Sequence, residues 1–209
     1  MLILVRHGRT AANAGGQMQG RVDNPLDEVG IEQAEAIAAA LGPVDRVVSS
    51  PLLRAHETAQ RIAARSGAEV VTDERWLELD FGIYDGLPIR EVPVSVWERW
   101  QTDAHWAPEG GESLAELRAR TFEACDDLAT TSAGESTVVV SHVSPIKAGV
   151  AWSLGLDNET TWRTHLDVAS ITRLALRDGR PILVSFNEIH HLAPAKHRLH
   201  WMEHAPSSD

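Results

Sequence analysis

Cysteine is nearly absent from this chain: a single residue, Cys125, excludes an internal disulfide. Glu123, Asp126 and Asp127 flank it, and acidic neighbours raise a thiol pKa, so Cys125 reads as a packed helix residue rather than a nucleophile. No charged start followed by an apolar stretch of secretory length opens the sequence, which together with the unpaired cysteine predicts a cytoplasmic protein. Positive charge is also scarce, with 19 Lys and Arg against 30 Asp and Glu for a net charge of -11. Phosphate backbones need clustered Lys and Arg to release counterions, so no nucleic-acid partner is expected, although a local cationic pocket stays open. Neither Gly-x-Gly-x-x-Gly nor the Gly-Lys-Ser/Thr ending of a nucleotide P-loop occurs. His190, His191, His197, His200 and His204 crowd the end of the chain without metal spacing such as His-Glu-x-x-His, so they read as a solvated surface segment. No internal repeat or low-complexity tract is evident.

What is present is a globular composition. Hydrophobic residues make up 43% and charged residues 23%, which fits neither a disordered nor a membrane protein. The 209 residues suit one α/β domain over 1–209, with a small cap at about 87–112.

The N-terminus is the most telling stretch. Leu2-Ile3-Leu4-Val5 is an apolar run that ends abruptly in Arg6-His7-Gly8, a buried strand delivering two polar side chains to a loop. Taken alone, such a histidine is better explained by packing or capping than by chemistry. Thr10 to Gly20 follows, rich in Gly, Asn and Gln; it reads as a loop, either a plain surface segment or a phosphate cradle. From Asp27 to Leu41 a helix face is spelled by Val29, Ile31, Ala34, Ile37, Ala38 and Leu41, stopped by Gly42-Pro43. Arg46 to Ser49 is a second strand, and Ser49-Ser50-Pro51 caps the next helix, whose core candidates include Leu52 and Leu53. Arg54 stands in the first turn of that helix, where the dipole is already positive. It either faces solvent or shares the spot with an anion.

A third strand spans 68–72. In 76–86 apolar and acidic residues alternate, leaving Glu78 either on an exposed face or partly buried with a purpose. Residues 87–112 carry three prolines beside Trp97, Trp100 and Trp106, and the tryptophans read as packing the cap down rather than touching ligand. A helix from Leu114 to about Thr130 precedes Thr137-Val138-Val139-Val140-Ser141-His142, again a β-branched strand ending in histidine. A helix then starts at Val143-Ser144-Pro145. Two last strands are expected over 165–177 and 181–186, joined by a turn at 177–180.

Alternating buried strands and amphipathic helices imply a mostly parallel sheet covered on both faces, and such sheets bind ligands beyond the carboxyl ends of their strands. Arg6 and His7, Arg54, and His142 come from three separate segments to that one edge. Two guanidiniums match a tetrahedral dianion bidentately, and the same charge biases an imidazole toward its neutral, nucleophilic form. Glu78 completes the scheme as proton donor to a leaving alcohol.

The blocks Arg6-His7-Gly8-Arg9-Thr10-x-x-Asn13, Gln19-Gly20, Ser49-Ser50-Pro51-Leu52-x-Arg54-Ala55-x-x-Thr58-Ala59, Glu78-x-x-Phe81-Gly82-x-x-x-Gly86 and Ser141-His142 stand in the order of a known family. The chain resembles the histidine phosphatase superfamily, in its phosphoglycerate mutase-like branch. The resemblance implies a three-layer α/β/α sandwich with a mostly parallel central sheet. It also implies that His7 is phosphorylated, that Glu78 shuttles the proton, and that Arg6, Arg54 and His142 hold the phosphoryl group. Asn13 joins the phosphate pocket, Thr10, Gln19 and Gly20 line it, and neither metal nor other cofactor is required. Relatives often form homodimers. Two positions depart from the pattern. Arg9 replaces an acidic residue or glutamine and is expected to adjust what lies beside the phosphate. Val143 follows His142 where glycine is usual, so the backbone N–H that helps hold phosphate must come from a bulkier residue.

Only 63 residues, positions 79–141, separate Glu78 from His142, which resembles the shorter phosphatases rather than the mutases of that family. The sequence therefore reads as a phosphomonoesterase for a small phosphorylated metabolite, hydrolysing it through a phosphohistidine on His7. A phosphoglycerate mutase, or a non-catalytic module that binds a phosphometabolite, are the alternatives.

Overall fold

The computed structural model describes residues 1–131, 134–177 and 180–192. Six strands form one sheet: β1 (Leu2–Arg6), β2 (Arg46–Ser49), β3 (Val70–Thr72), β4 (Thr137–Ser141), β5 (Ile171–Arg177) and β6 (Arg180–Glu188). Their order across the sheet is β3-β2-β4-β1-β5-β6. The first four run parallel, whereas β5 and β6 are antiparallel additions at one side. The central strands are short runs of Val, Ile and Leu because both of their faces are covered, as parallel sheets require.

Side chains alternate faces along each strand, so β1 and β4 feed two cores at once. Ile3, Val5, Val138 and Val140 pack on one side with Ile37 and Ala38 of α2 (Glu28–Leu41) and Ala55, Ala59 and Ile62 of α3 (Leu53–Ser66). Leu2, Leu4 and Val139 pack on the other with Trp76, with Cys125 and Leu128 of α5 (Leu114–Thr131), and with Ile146 of α6 (Val143–Leu154). Two short helices, α1 (Ala11–Ala14) and α7 (Thr160–Arg163), lie near the strand ends, and α4 (Val94–Thr102) lies in the expected cap segment. Residues 92–100 contribute to a third apolar cluster, in which Val92, Val96 and Trp100 meet Met18, Leu114, Leu117 and Ala148. This is the expected three-layer sandwich, with helices on both faces of a mostly parallel sheet.

Several local readings of the sequence change. The loop after β1 contains α1, nucleated by a capping box between Thr10 and Asn13. Ile31, assigned to the core face of α2, is exposed. The first turn of that helix instead faces the chain after β1 through Gly30 and Gln33, whose Oε1 accepts from Arg9 N at 2.9 Å. Helix α3 is not capped by Ser49 or Ser50, since Leu52 is its cap residue and makes no side-chain bond. Ser49 Oγ donates to Ser50 O, Ser50 Oγ meets His142 Nε2 at 2.8 Å and accepts from the Leu52 N–H at 3.4 Å, and the Leu53 N–H is taken by Asp23 Oδ1 at 2.7 Å, leaving Leu53 itself exposed. Strand β5 begins at Ile171 rather than near 165, because the preceding backbone folds over the end of β1, with Ala169 N donating to His7 O and Arg6 N to Ser170 O, each at 3.0 Å. Strand β6 is longer than 181–186. Asp178, Gly179, His197, His200 and His204 lie outside the described residues.

Gly8 and Gly30 mark where the chain after β1 rests directly on α2. A Cβ on Gly8 would collide with the Gly30 carbonyl oxygen, and one on Gly30 with the Arg9 carbonyl oxygen. Replacing a helical glycine by alanine ordinarily stabilises by about 1 kcal/mol. Here overpacking reverses the sign, so Gly30→Ala is expected to destabilise by about 1–3 kcal/mol in urea unfolding. A variant more stable than the parent would contradict this contact.

Candidate active site

Parallel pairing of β1 and β4 puts Arg6 in register with Ser141. The next residue of each strand therefore leaves the sheet at the same level, and the rings of His7 and His142 stand 5.1 Å apart, centroid to centroid. Both are buried. His7 N donates to Ser141 O at 3.0 Å, tying the two strand ends together.

Hydrogen bonds fix the tautomer of each ring. His7 Nδ1 lies 2.7 Å from the Gly8 carbonyl oxygen. A carbonyl only accepts, so Nδ1 carries the proton and the Nε2 lone pair is free. His142 Nδ1 accepts from Arg54 Nε at 3.2 Å, so its Nε2 carries the proton and donates to Ser50 Oγ at 2.8 Å. Burial first, then the charges of Arg54 and Arg6, hold the His7 imidazole well below its usual pKa. The same causes, burial foremost and His7 adding to Arg54, lower His142 well below its usual range.

Arg54 occupies the first turn of α3 because it is held there from the other side. Its Nη1 donates to Val22 O at 2.7 Å and its Nη2 to Gly20 O at 2.8 Å. Three of its five donors are thus used, which leaves two for an anion. Gly20 makes this possible: its φ is 47°, and a Cβ would run into the Asp85 carboxylate. Arg6, partly open to the cavity, donates from Nη1 to Leu166 O at 2.6 Å, while its Nε has no partner among the described residues. Burial lowers Arg6 and Arg54 to about 10 each, against the opposing pull of Glu78.

Glu78 is buried and, among the described residues, aimed by main-chain donors. Oε1 accepts from Leu79 N at 2.8 Å and Ser144 N at 3.2 Å, and Oε2 from Val143 N at 3.2 Å. Val143 and Ser144 open α6, so that helix start holds the carboxylate. The N–H after His142, expected on phosphate, is committed to Glu78 instead.

A cavity of about 360 Å³ opens over these groups, walled by Arg6, His7, Arg54 and Glu78 at one end. Asn13, Gln19 and Gly20 also line it. Thr10 does not. It is fully buried behind the wall, with Oγ1 3.1 Å from Asn13 Oδ1 and 2.9 Å from Gln19 Oε1, and so orients both. His142 likewise stands behind the wall, reached through Arg54 and Ser50. Arg9 turns away, pairing with Asp27 Oδ2 at 2.8 Å at the cap of α2, so it does not adjust the phosphate surroundings. Gly8 is required by its contact with Gly30, whose carbonyl oxygen a Cβ would meet. Burial pushes the Cys125 thiol far up, in keeping with a packing role.

Sequence reasoning missed part of the far wall. Trp97 and Trp100 do pack the cap, with ring centroids 5.5 Å apart, and also line the cavity, joined there by Trp162. Lys147 was not singled out, although a lone cation inside the apolar helix Val143–Leu154 was a readable signal. Among the described residues no group of three or more His, Cys, Asp or Glu could hold a metal ion, and no helix is long and apolar enough to cross a membrane.

A sequence profile of the histidine phosphatase superfamily, branch 1, matches residues 2–189. A bifunctional protein of Mycobacterium tuberculosis is 36% identical over 177 residues, covering 82% of this chain and 49% of that protein. The chain thus spans about half the length of that relative. Phosphoserine phosphatase 1 of Hydrogenobacter thermophilus is 34% identical over 197 residues, 91% of this chain and 93% of its own. The crystal structure of the Entamoeba histolytica phosphoserine phosphatase in complex with 3-phosphoglyceric acid superposes with a TM-score of 0.85 at 33% identity, covering 92% of this chain and 98% of that one.

The protonation states are open to measurement. Ring carbon–proton correlation spectra should show His7 and His142 still neutral at about pH 6, where a free histidine is mostly charged. A titration midpoint at or above about 6.5 for either ring would contradict the assigned environment.

Proposed function

Because the chain belongs to the histidine phosphatase superfamily, we propose that it hydrolyses a small phosphomonoester through a phosphohistidine on His7. The observation that carries this reading is the Nδ1–H bond from His7 to the Gly8 carbonyl, which leaves Nε2 deprotonated beside two arginines. A phosphoryl dianion bridges Arg6 and Arg54, with the amide of Asn13 as a further donor. His142 acts from behind, orienting the Arg54 fork through its Nδ1 and supplying imidazole polarity to the pocket.

In the first step Nε2 of His7 attacks phosphorus opposite the ester oxygen. The P–O bond breaks as the N–P bond forms, and the arginines neutralise charge on the equatorial oxygens. Glu78 enters this step as the carboxylic acid, the form the second step regenerates, and gives its proton to the departing alkoxide. In the second step a water molecule gives its proton back to Glu78 and attacks phosphorus. The N–P bond breaks, inorganic phosphate leaves, and His7 returns to its starting tautomer with Nδ1 still bonded to Gly8. Every proton and electron pair is carried by protein side chains or water, so the proposed chemistry is metal-independent and uses no cofactor. We place it in the cytoplasm and assign no role to nucleic acid, in line with the lone buried cysteine and the acidic net charge. The relatives named for phosphoserine support a small phosphorylated metabolite as substrate.

Turnover of p-nitrophenyl phosphate in the presence of a chelator tests the reading. Wild-type protein should release p-nitrophenol, and His7→Ala should lose at least about 10³-fold in kcat. Glu78→Gln should lose about 10²–10⁴-fold in kcat/KM on an alkyl phosphate but much less in kcat/KM on p-nitrophenyl phosphate, whose leaving group needs no proton, while kcat falls on both because the attacking water still needs a base. Turnover that survives His7→Ala would end this assignment. Isomerisation of 3-phosphoglycerate faster than phosphate release would replace it with a mutase.

A further inference from the structure

Lysine is almost unused in this chain. Of 19 Lys and Arg residues only Lys147 and Lys196 are lysines, so arginine serves nearly every place where a cation is wanted. Lys147 sits half-buried between Ile146 and Ala148 on α6, a helix otherwise without charge, and its side chain lines the cavity. Nζ donates one hydrogen bond, to Thr161 O at 2.8 Å. An ammonium has three donors, and among the described residues Lys147 makes no ion pair. Trp97, Trp100 and Trp162 line the same cavity, and Trp162 directly follows the Thr161 to which Lys147 is bonded. A cation in such surroundings calls for a counter-charge, and the cavity is where one can enter.

Position and charge define what that partner is. Lys147 follows His142 by five residues, so it stands about 7 Å further along the helix axis, and helical side chains lean back toward the N-terminus. The ammonium therefore addresses a group only a few atoms from the phosphoryl site. Among the described lining residues only Arg6, Arg54 and Lys147 are cationic, and the first two are taken by the phosphoryl group; the single charge left balances a carboxylate, whereas a second phosphate dianion would stay half-neutralised. Burial, reinforced by Arg6 and opposed by Glu78, lowers the amine to about 8, so it remains mostly cationic at neutral pH.

We infer that Lys147 determines specificity by pairing with a carboxylate on the leaving group, so that the preferred substrates are small phosphomonoesters bearing a carboxylate two to four atoms from the ester oxygen. The inference rests on the phosphomonoesterase reading above. A merely structural Lys147, pinning α7 to α6 through Thr161, would not discriminate among leaving groups.

The test compares kcat/KM for two carboxylate esters, phosphoserine and 3-phosphoglycerate, with their counterparts lacking the carboxylate, phosphoethanolamine and glycerol 3-phosphate. Wild-type protein should favour the carboxylate member of each pair by about tenfold to a hundredfold, the range of one charged hydrogen bond. Lys147→Met should erase most of that ratio, mainly through KM, and Lys147→Arg should keep part of it. A wild-type ratio near one, which needs no variant to measure, overturns the inference, as does a ratio that Lys147→Met leaves intact. Wild-type protein that cleaves p-nitrophenyl phosphate without preferring carboxylates defeats this inference alone. Wild-type protein that cleaves no ester defeats the phosphatase reading and this inference with it.

Discussion

Burial of Arg6 and Arg54 at the carboxyl ends of parallel strands lowers each guanidinium to about 10, which leaves both charged at neutral pH in a place with little water. The backbone solvates them in its stead, through the carbonyls of Leu166, Val22 and Gly20. Those carbonyls neutralise no net charge. Burial is the first cause that keeps the imidazoles of His7 and His142 neutral, and the two cations reinforce it, since an imidazolium beside them would add a further positive charge to the same small volume. The vacant guanidinium donors favour a dianion.

Much of the fold can be understood as support for that charge. The β1–β4 register brings the two histidines side by side, and Gly8 against Gly30 lets the chain leave β1 flush with α2. Gly20 turns the loop carbonyls toward Arg54, and Thr10 behind the wall aligns Asn13 and Gln19. Glu78 is held by three main-chain N–H groups, two of them at the start of the helix that follows His142. His7 and Glu78 are therefore fixed relative to each other through one strand–helix junction. Such pre-positioning is what converts binding into rate.

The parts of this arrangement written in local sequence were legible. Apolar runs ending in Arg6-His7 and in His142 announced strand ends, and the odd placement of Arg54 marked it as a residue to explain, which the structure buries against Val22 O and Gly20 O. The parts that depend on contacts between distant segments were not. Nothing near Ser50 predicts that His142 will occupy its hydroxyl, so its role as helix cap was misjudged. Arg9 looked like a pocket residue until Asp27, eighteen positions away, took its charge. Ile31 fits the helical period of the core face, yet the first turn of α2 faces Arg9 rather than the sheet core. The far wall of the cavity was hidden for the same reason. Trp97, Trp162 and Lys147 come from three separate helices, and only tertiary packing brings them around one volume.

The claim at the centre is that His7 attacks through Nε2 because Nδ1 is tied to the Gly8 carbonyl. Rapid acid-free quenching of the enzyme during turnover of a ³²P-labelled ester, followed by peptide mapping and ³¹P spectroscopy, measures this directly. The account predicts an acid-labile, base-stable phosphoryl group on His7, attached at Nε2. Label at Nδ1, on another residue, or absent from the protein under conditions of rapid turnover would contradict it.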